Sequence, residues 1–266
     1  MSIDSIPIWA VFIATIIVVM AAIEIGQRLG QIVRRRSEHE KESPISAIAG
    51  AILGLSAFML AFAFGVVWDR YDARKALVRE DAVAIRTAWQ RSDFLPETDR
   101  AEADKMLREY VDLRLEFAQG ASLAPEKVRD VLAKTQEIQD RLWNAAVVNA
   151  RKDMNSDVAA LYIDALNAMN GVHATRVAVG IQTRVPNEIW IALYLITILG
   201  MVGVGYQTGI AESKRSIAWP VLALSFALAF ALIASLDRPD SGILKVPQRP
   251  LIDLQALMAK SPAIRN

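Results

Sequence analysis

The chain has 266 residues, of which 53% are hydrophobic and 22% charged, with a formal net charge of +1 and no cysteine. That balance supplies no global field for holding nucleic acid, and the lack of cysteine excludes disulfides, thiolate metal sites and a cysteine nucleophile. Apolar and charged residues are segregated along the chain, as expected where segments lie in separate solvents.

Four apolar runs are long enough to cross a bilayer. Residues 6–25 would form about 30 Å of helix at roughly 1.5 Å per residue, with Glu24 the only charge and at the end. The start lacks a basic region and a small-residue cleavage site, so a retained span is expected and not a signal peptide. The second span covers 45–68, opened by Ser43 as N-cap and Pro44 at the first helical position. The third and fourth cover 189–211 and 217–236, and the short loop between them makes an antiparallel pair. Both termini are then expected on one side of the membrane.

The polar region between the second and third spans reads as helical. Met106, Leu107, Tyr110, Val111, Leu113 and Phe117 recur at three- and four-residue spacing, as do Val128, Val131, Leu132, Thr135, Ile138 and Leu142. Breaks fall at Leu95-Pro96, at 120–125 and at Asn155-Ser156. Long helices continuing from spans two and three, with two helices packed between them, are expected, and no alternating run suggests a sheet. The fold class is all-α. The expected organisation is a first membrane half (1–68), an extramembrane helical domain (69–188), a second membrane half (189–236) and a C-terminal tail (237–266).

Arg28, Arg34, Arg35, Arg36 and Lys41 in the first loop, with Lys214 and Arg215 in the third, favour cytoplasmic short loops. On charge alone the helical domain and both termini would be extracytoplasmic. The expected location is the cell inner membrane, in contact with lipid.

Little in the sequence points to catalysis. His39 and His173 are far apart, and no phosphate loop, nucleophile elbow or zinc motif is present. No catalytic residue, metal site or cofactor is expected, nor is a nucleic-acid partner. Gly26 and Gly30, Gly50 and Gly54, and Gly205 and Gly209 have the Gly-x-x-x-Gly spacing that lets helices approach closely. Gly50 and Gly54 have a second reading, as residues that widen the mouth of a channel.

Phe58 and Phe62 stack on one face of span two, a turn after Gly54. This stripe is either ordinary packing or, repeated around a symmetric ring, an apolar constriction that gates by dewetting. Phenylalanine ring edges carry partial positive charge and would tolerate a partly dehydrated anion. Trp68, Asp69, Arg70, Tyr71, Asp72 and Arg74 are either interfacial anchors, with Asp72 or Arg70 paired along the helix to partners such as Arg74, or charges at a pore mouth or subunit interface.

The segment AFMLAFAFGVVWDRYDARKALV, followed by EDAVAI, resembles bestrophin-like integral membrane proteins, as does the tail LDRPDSGILKVPQRPL. The likeness extends over nearly the whole chain. In bestrophins the second span lines a pentameric anion pore whose neck carries apolar and aromatic side chains four residues apart, just before an Arg-aromatic pair. Aligning Arg70-Tyr71 with that pair puts Phe62 and Phe58 at aromatic neck positions and Gly54 where a bulky aliphatic is usual. Asp237, Arg238, Pro239 and Asp240 are too short and too basic to imply a calcium clasp. Asp237, Arg238, Pro239 and Gly242 are expected to cap span four and turn the chain back. The resemblance implies a cytoplasmic helical domain, against the charge rule. It also implies a homo-oligomeric channel for an inorganic anion. A non-conducting scaffold or sensor that binds a partner through its helical domain is the alternative.

Overall fold

The computed structural model describes residues 6–36, 42–119, 125–182, 184–211, 217–238 and 244–260. Among these, the regular elements are α1 (Ile8–Arg36), α2 (Glu42–Arg91), α3 (Glu97–Gln119), α4 (Pro125–Ala150), α5 (Asp157–Val177), α6 (Asn187–Ile210), α7 (Ala218–Asp237) and α8 (Arg249–Lys260), with a 3₁₀ turn at Ser92–Phe94 and a π-helical turn at Ala178–Gln182. α1, α2, α6 and α7 are long and apolar enough to cross a membrane. The chain resolves into two compact units, Met1–Tyr71 with Arg184–Leu244, and Asp72–Thr183 with Lys245–Asn266.

In the membrane unit, α1 packs most extensively on α6 and next on α7. Glycine makes the first of these contacts possible. A Cβ at Gly26 or Gly30 would overlap the carbonyl oxygen of Val202 or Tyr206, and one at Gly205 or Gly209 would overlap that of Ile23 or Gln27. The two backbones therefore touch directly, which in lipid, where apolar side chains gain nothing from leaving water, is a main source of helix association. Hydroxyl pairs add to it: Thr15 with the Tyr194 hydroxyl at 2.8 Å, and Ser56 with Thr197 at 3.1 Å. Tyr194 also stacks on Phe230 with ring centroids 4.3 Å apart.

Gly50 and Gly54 are different. Grouped with the packing glycines by spacing, they have nothing within 4 Å of an added Cβ in the single chain. Gly205→Ala is therefore expected to cost about 1–3 kcal/mol through overpacking, whereas Gly54→Ala is expected to be neutral or to stabilise α2 by about 0.5–1 kcal/mol. Thermal unfolding of the detergent-solubilised variants measures both. Equal losses would show that the α1–α6 approach does not hold the unit together.

The helical unit is built on a core of Ile85, Met106, Leu107, Tyr110, Leu142, Tyr162, Leu166, Met169 and Leu251. Leu95, held extended at φ −76° and ψ 154° before Pro96, separates the end of α2 from α3. Ser156 caps α5 by accepting a hydrogen bond from the Ala159 amide at 3.2 Å. α2 runs on for 23 residues past Trp68, to Arg91, as a single helix. The third span does not extend in the same way. α6 starts after Pro186, which lacks an amide hydrogen and keeps Val185 out of the helical region, so the expected continuous helix is broken after the π-helical turn. α8 was not anticipated; it buries Leu251, Leu254 and Met258 in the helical unit.

Candidate pore face and its charged junction

The membrane part of α2 has two unlike sides. Ala49, Ser56, Leu60, Ala63 and Val67 are buried, while Gly54, Phe58, Phe62, Gly65 and Asp69, at three- and four-residue spacing on the other side, are exposed. Phe58 is 65% exposed and Phe62 64%. The remaining outward faces of the unit carry bulky aliphatics at helical spacing: Ile13 and Ile17 on α1, Ile191, Leu195 and Leu199 on α6, and Leu224, Leu228 and Leu232 on α7. Those are faces suited to lipid tails. The α2 face joins glycines and alanines to two phenylalanines, with Leu55 at its flank.

At the end of this face, aromatic rings form a ladder, Phe64 to Trp68 at 6.1 Å and Trp68 to Tyr71 at 6.0 Å. Neighbouring charges point different ways. Asp69 is exposed, whereas Arg70 is three-quarters buried and lies 3.5 Å from the Asp237 carboxylate. The Arg70 contact is an ion pair without hydrogen-bond alignment. Asp237, only 2% exposed, ends α7, where the helix dipole disfavours an anion. Its compensation comes from Arg70 and from the Val185 amide, which donates to both carboxylate oxygens at 3.1 and 3.2 Å. Val185 is available for this because Pro186 takes it out of the helix.

Asp72 pairs along α2 as expected, though with Lys75 at 3.7 Å, whereas Arg70 pairs with Asp237 of α7. Arg74 is buried in the helical unit. Arg238 is the C-cap residue of α7, and both side chains also bond across the membrane unit, Asp237 to the segment before α6 and Arg238 to the carbonyl of Ile6 before α1. Pro239 and Gly242 lie outside the described residues, as does His39.

A second concentration of charge lies in the helical unit. Arg114 donates through Nε and Nη2 to Asp81 Oδ2, both at 3.1 Å, and Arg176 donates to the same oxygen. Arg176 also reaches Gln248 Oε1 at 3.4 Å. The Tyr110 hydroxyl accepts from Gln139 at 3.3 Å, and its ring meets His173 edge-on at 6.3 Å. Burial holds the Tyr110 and Tyr162 hydroxyls neutral by raising their pKa values. Burial, then repulsion from Arg114, lowers that of Arg176. No cluster of metal-ligating side chains occurs among the described residues. Sequence reasoning missed this network, because its members are separated by dozens of residues and none stands in a motif.

Taken together, the four membrane-length helices and the inserted helical unit define an all-α integral membrane protein. The chain belongs to the Bestrophin-like family, whose domain model matches residues 8–251. Among solved structures it is similar to a substituted bacterial bestrophin homologue from Klebsiella pneumoniae, at 18% identity and a TM-score of 0.62, over 94% of this chain and 99% of that one. A second substituted form of that homologue gives 17% identity and a TM-score of 0.64, over 94% and 98%. A structure described as a membrane protein gives 17% and 0.64, over 96% and 97%. At these identities the likeness concerns the fold. No curated protein matches the chain.

Proposed function

We propose that this protein is a homo-oligomeric membrane ion channel, its pore lined by α2, with Gly54, Phe58 and Phe62 at the neck and Asp69 at the mouth. One observation carries this reading. α2 exposes a face of small residues and two phenylalanines, unlike the aliphatic faces of α1, α6 and α7. A ring of such faces would leave a narrow apolar passage that closes by dewetting. Membership of the Bestrophin-like family supports a shared pore, with a pentamer as the assembly the resemblance implies.

The same resemblance and the electropositive phenylalanine edges support an inorganic anion as the conducted ion. A different observation favours a cation. Asp69 is exposed on the phenylalanine face, whereas the adjacent Arg70 is turned to Asp237. Acidic rings at a mouth concentrate cations. The reversal potential across a KCl gradient separates the two: it lies towards the chloride equilibrium potential for an anion pore and towards the potassium potential for a cation pore.

The assembly is tested by native mass spectrometry and particle averaging of the nanodisc-embedded complex. A ring of copies with α2 nearest its axis is the expected result. A monomer, or a dimer without an axial cavity, would overturn the channel reading and leave the scaffold or sensor.

A further inference from the structure

His173 is 8% exposed, and its Nδ1 is buried without a hydrogen-bond partner. Charged and aromatic groups from three helices act on it. α2 supplies Asp81, α3 supplies Tyr110 and Arg114, and α5 itself supplies Arg176. At the edge of the cluster, Gln139 of α4 holds the Tyr110 hydroxyl, and Gln248, just before α8, accepts from Arg176. Two guanidinium groups thus share one carboxylate, and Asp81 is wholly buried. The cluster has a surplus positive charge before the imidazole takes up any proton.

We propose that His173 makes the helical unit an acid-sensitive switch. Proton uptake on its imidazole sets a third cation beside a single carboxylate and loosens the core shared by α2, α3 and α5. The device stands independently of the channel reading.

Burial, then repulsion from Arg114, lowers the His173 pKa from the ordinary 6.5 to about 4, with Asp81 opposing. The folded unit therefore binds this proton less readily than the unfolded chain. Its stability is full above pH 6.5 and declines as pH falls towards 4, the sign expected for a group with a depressed folded-state pKa. For one such proton, the opening constant is expected to rise about 25-fold from roughly pH 7.5 to roughly pH 5.

The test is hydrogen exchange of the full chain in nanodiscs, with protection of the α3 and α5 amides corrected for the intrinsic pH dependence of exchange. The wild type is expected to lose about 25-fold in protection over that range, and His173→Gln, which cannot gain the charge, to stay nearly flat. Parallel losses in both proteins would overturn the proposal. A direct titration guards against misfolding of the variant: the imidazole carbon resonance of His173, assigned in ¹³C-histidine-labelled protein against His39→Gln, is expected to move only below pH 5. A midpoint near 6.5 in the folded protein would equally overturn it.

Discussion

Asp81→Asn is expected to destabilise the helical unit by about 3–5 kcal/mol, the usual cost of removing one partner of a buried ion pair. Asp81 is fully buried and bonds both Arg114 and Arg176. An asparagine oxygen can still accept a hydrogen bond, so the loss isolates charge from shape. The opposite substitution should be milder. Arg176→Met leaves Arg114 on Asp81 at 3.1 Å and removes the surplus positive charge, so its expected loss is well below that of Asp81→Asn. Chemical unfolding followed by exchange of the α3 and α5 amides measures both. An Asp81→Asn loss no larger than that of the exposed Glu126→Gln would mean that the cluster does not support the unit.

The cluster also marks a limit of sequence reading. Asp81, Arg114 and Arg176 are 33 and 95 residues from one another along the pairs that join them. Each on its own reads as an ordinary solvated charge on an amphipathic helix, and pairing at such separations is decided by tertiary packing. The spans were legible for the converse reason. A run such as 45–68 has to satisfy its backbone within the segment once it lies in lipid, so local composition alone decides helix and length. Helix α8 had a local signal that went unread: Leu251, Leu254 and Met258 follow Pro250, which occupies a helix start.

Around Trp68 the residues were legible and their directions were not. Reading Asp69, Arg70, Tyr71, Asp72 and Arg74 as one charged group ignores the helical period. Arg70 and Arg74 are four apart and share a side of α2, while Asp69 continues the side of Phe62 and Gly65. The structure has Asp69 exposed, Arg70 drawn to Asp237 and Arg74 buried. That Asp237 would be the partner depended on the break at Pro186, which frees the Val185 amide and lets one carboxylate join α2, α7 and the start of α6. No spacing along the chain encodes that meeting.

Replacing Phe58 and Phe62 together with alanine is expected to raise the resting conductance of the reconstituted protein by an order of magnitude or more, since about 1.4 kcal/mol off a permeation barrier is tenfold in rate. A dewetted neck conducts poorly because an ion must enter it without a hydration shell. Removing two rings from every subunit widens the passage and admits water. The control lies in the exposure of the two side chains. Neither belongs to a buried core cluster of the chain, so thermal unfolding of the variant protomer should stay within about 0.5 kcal/mol of the wild type. Ordinary packing between neighbouring subunits predicts the reverse pattern: weakened assembly with unchanged current per channel. Increased current through an intact assembly would identify the pair as the neck, and a loss of oligomer mass without added conductance would return both residues to a structural role.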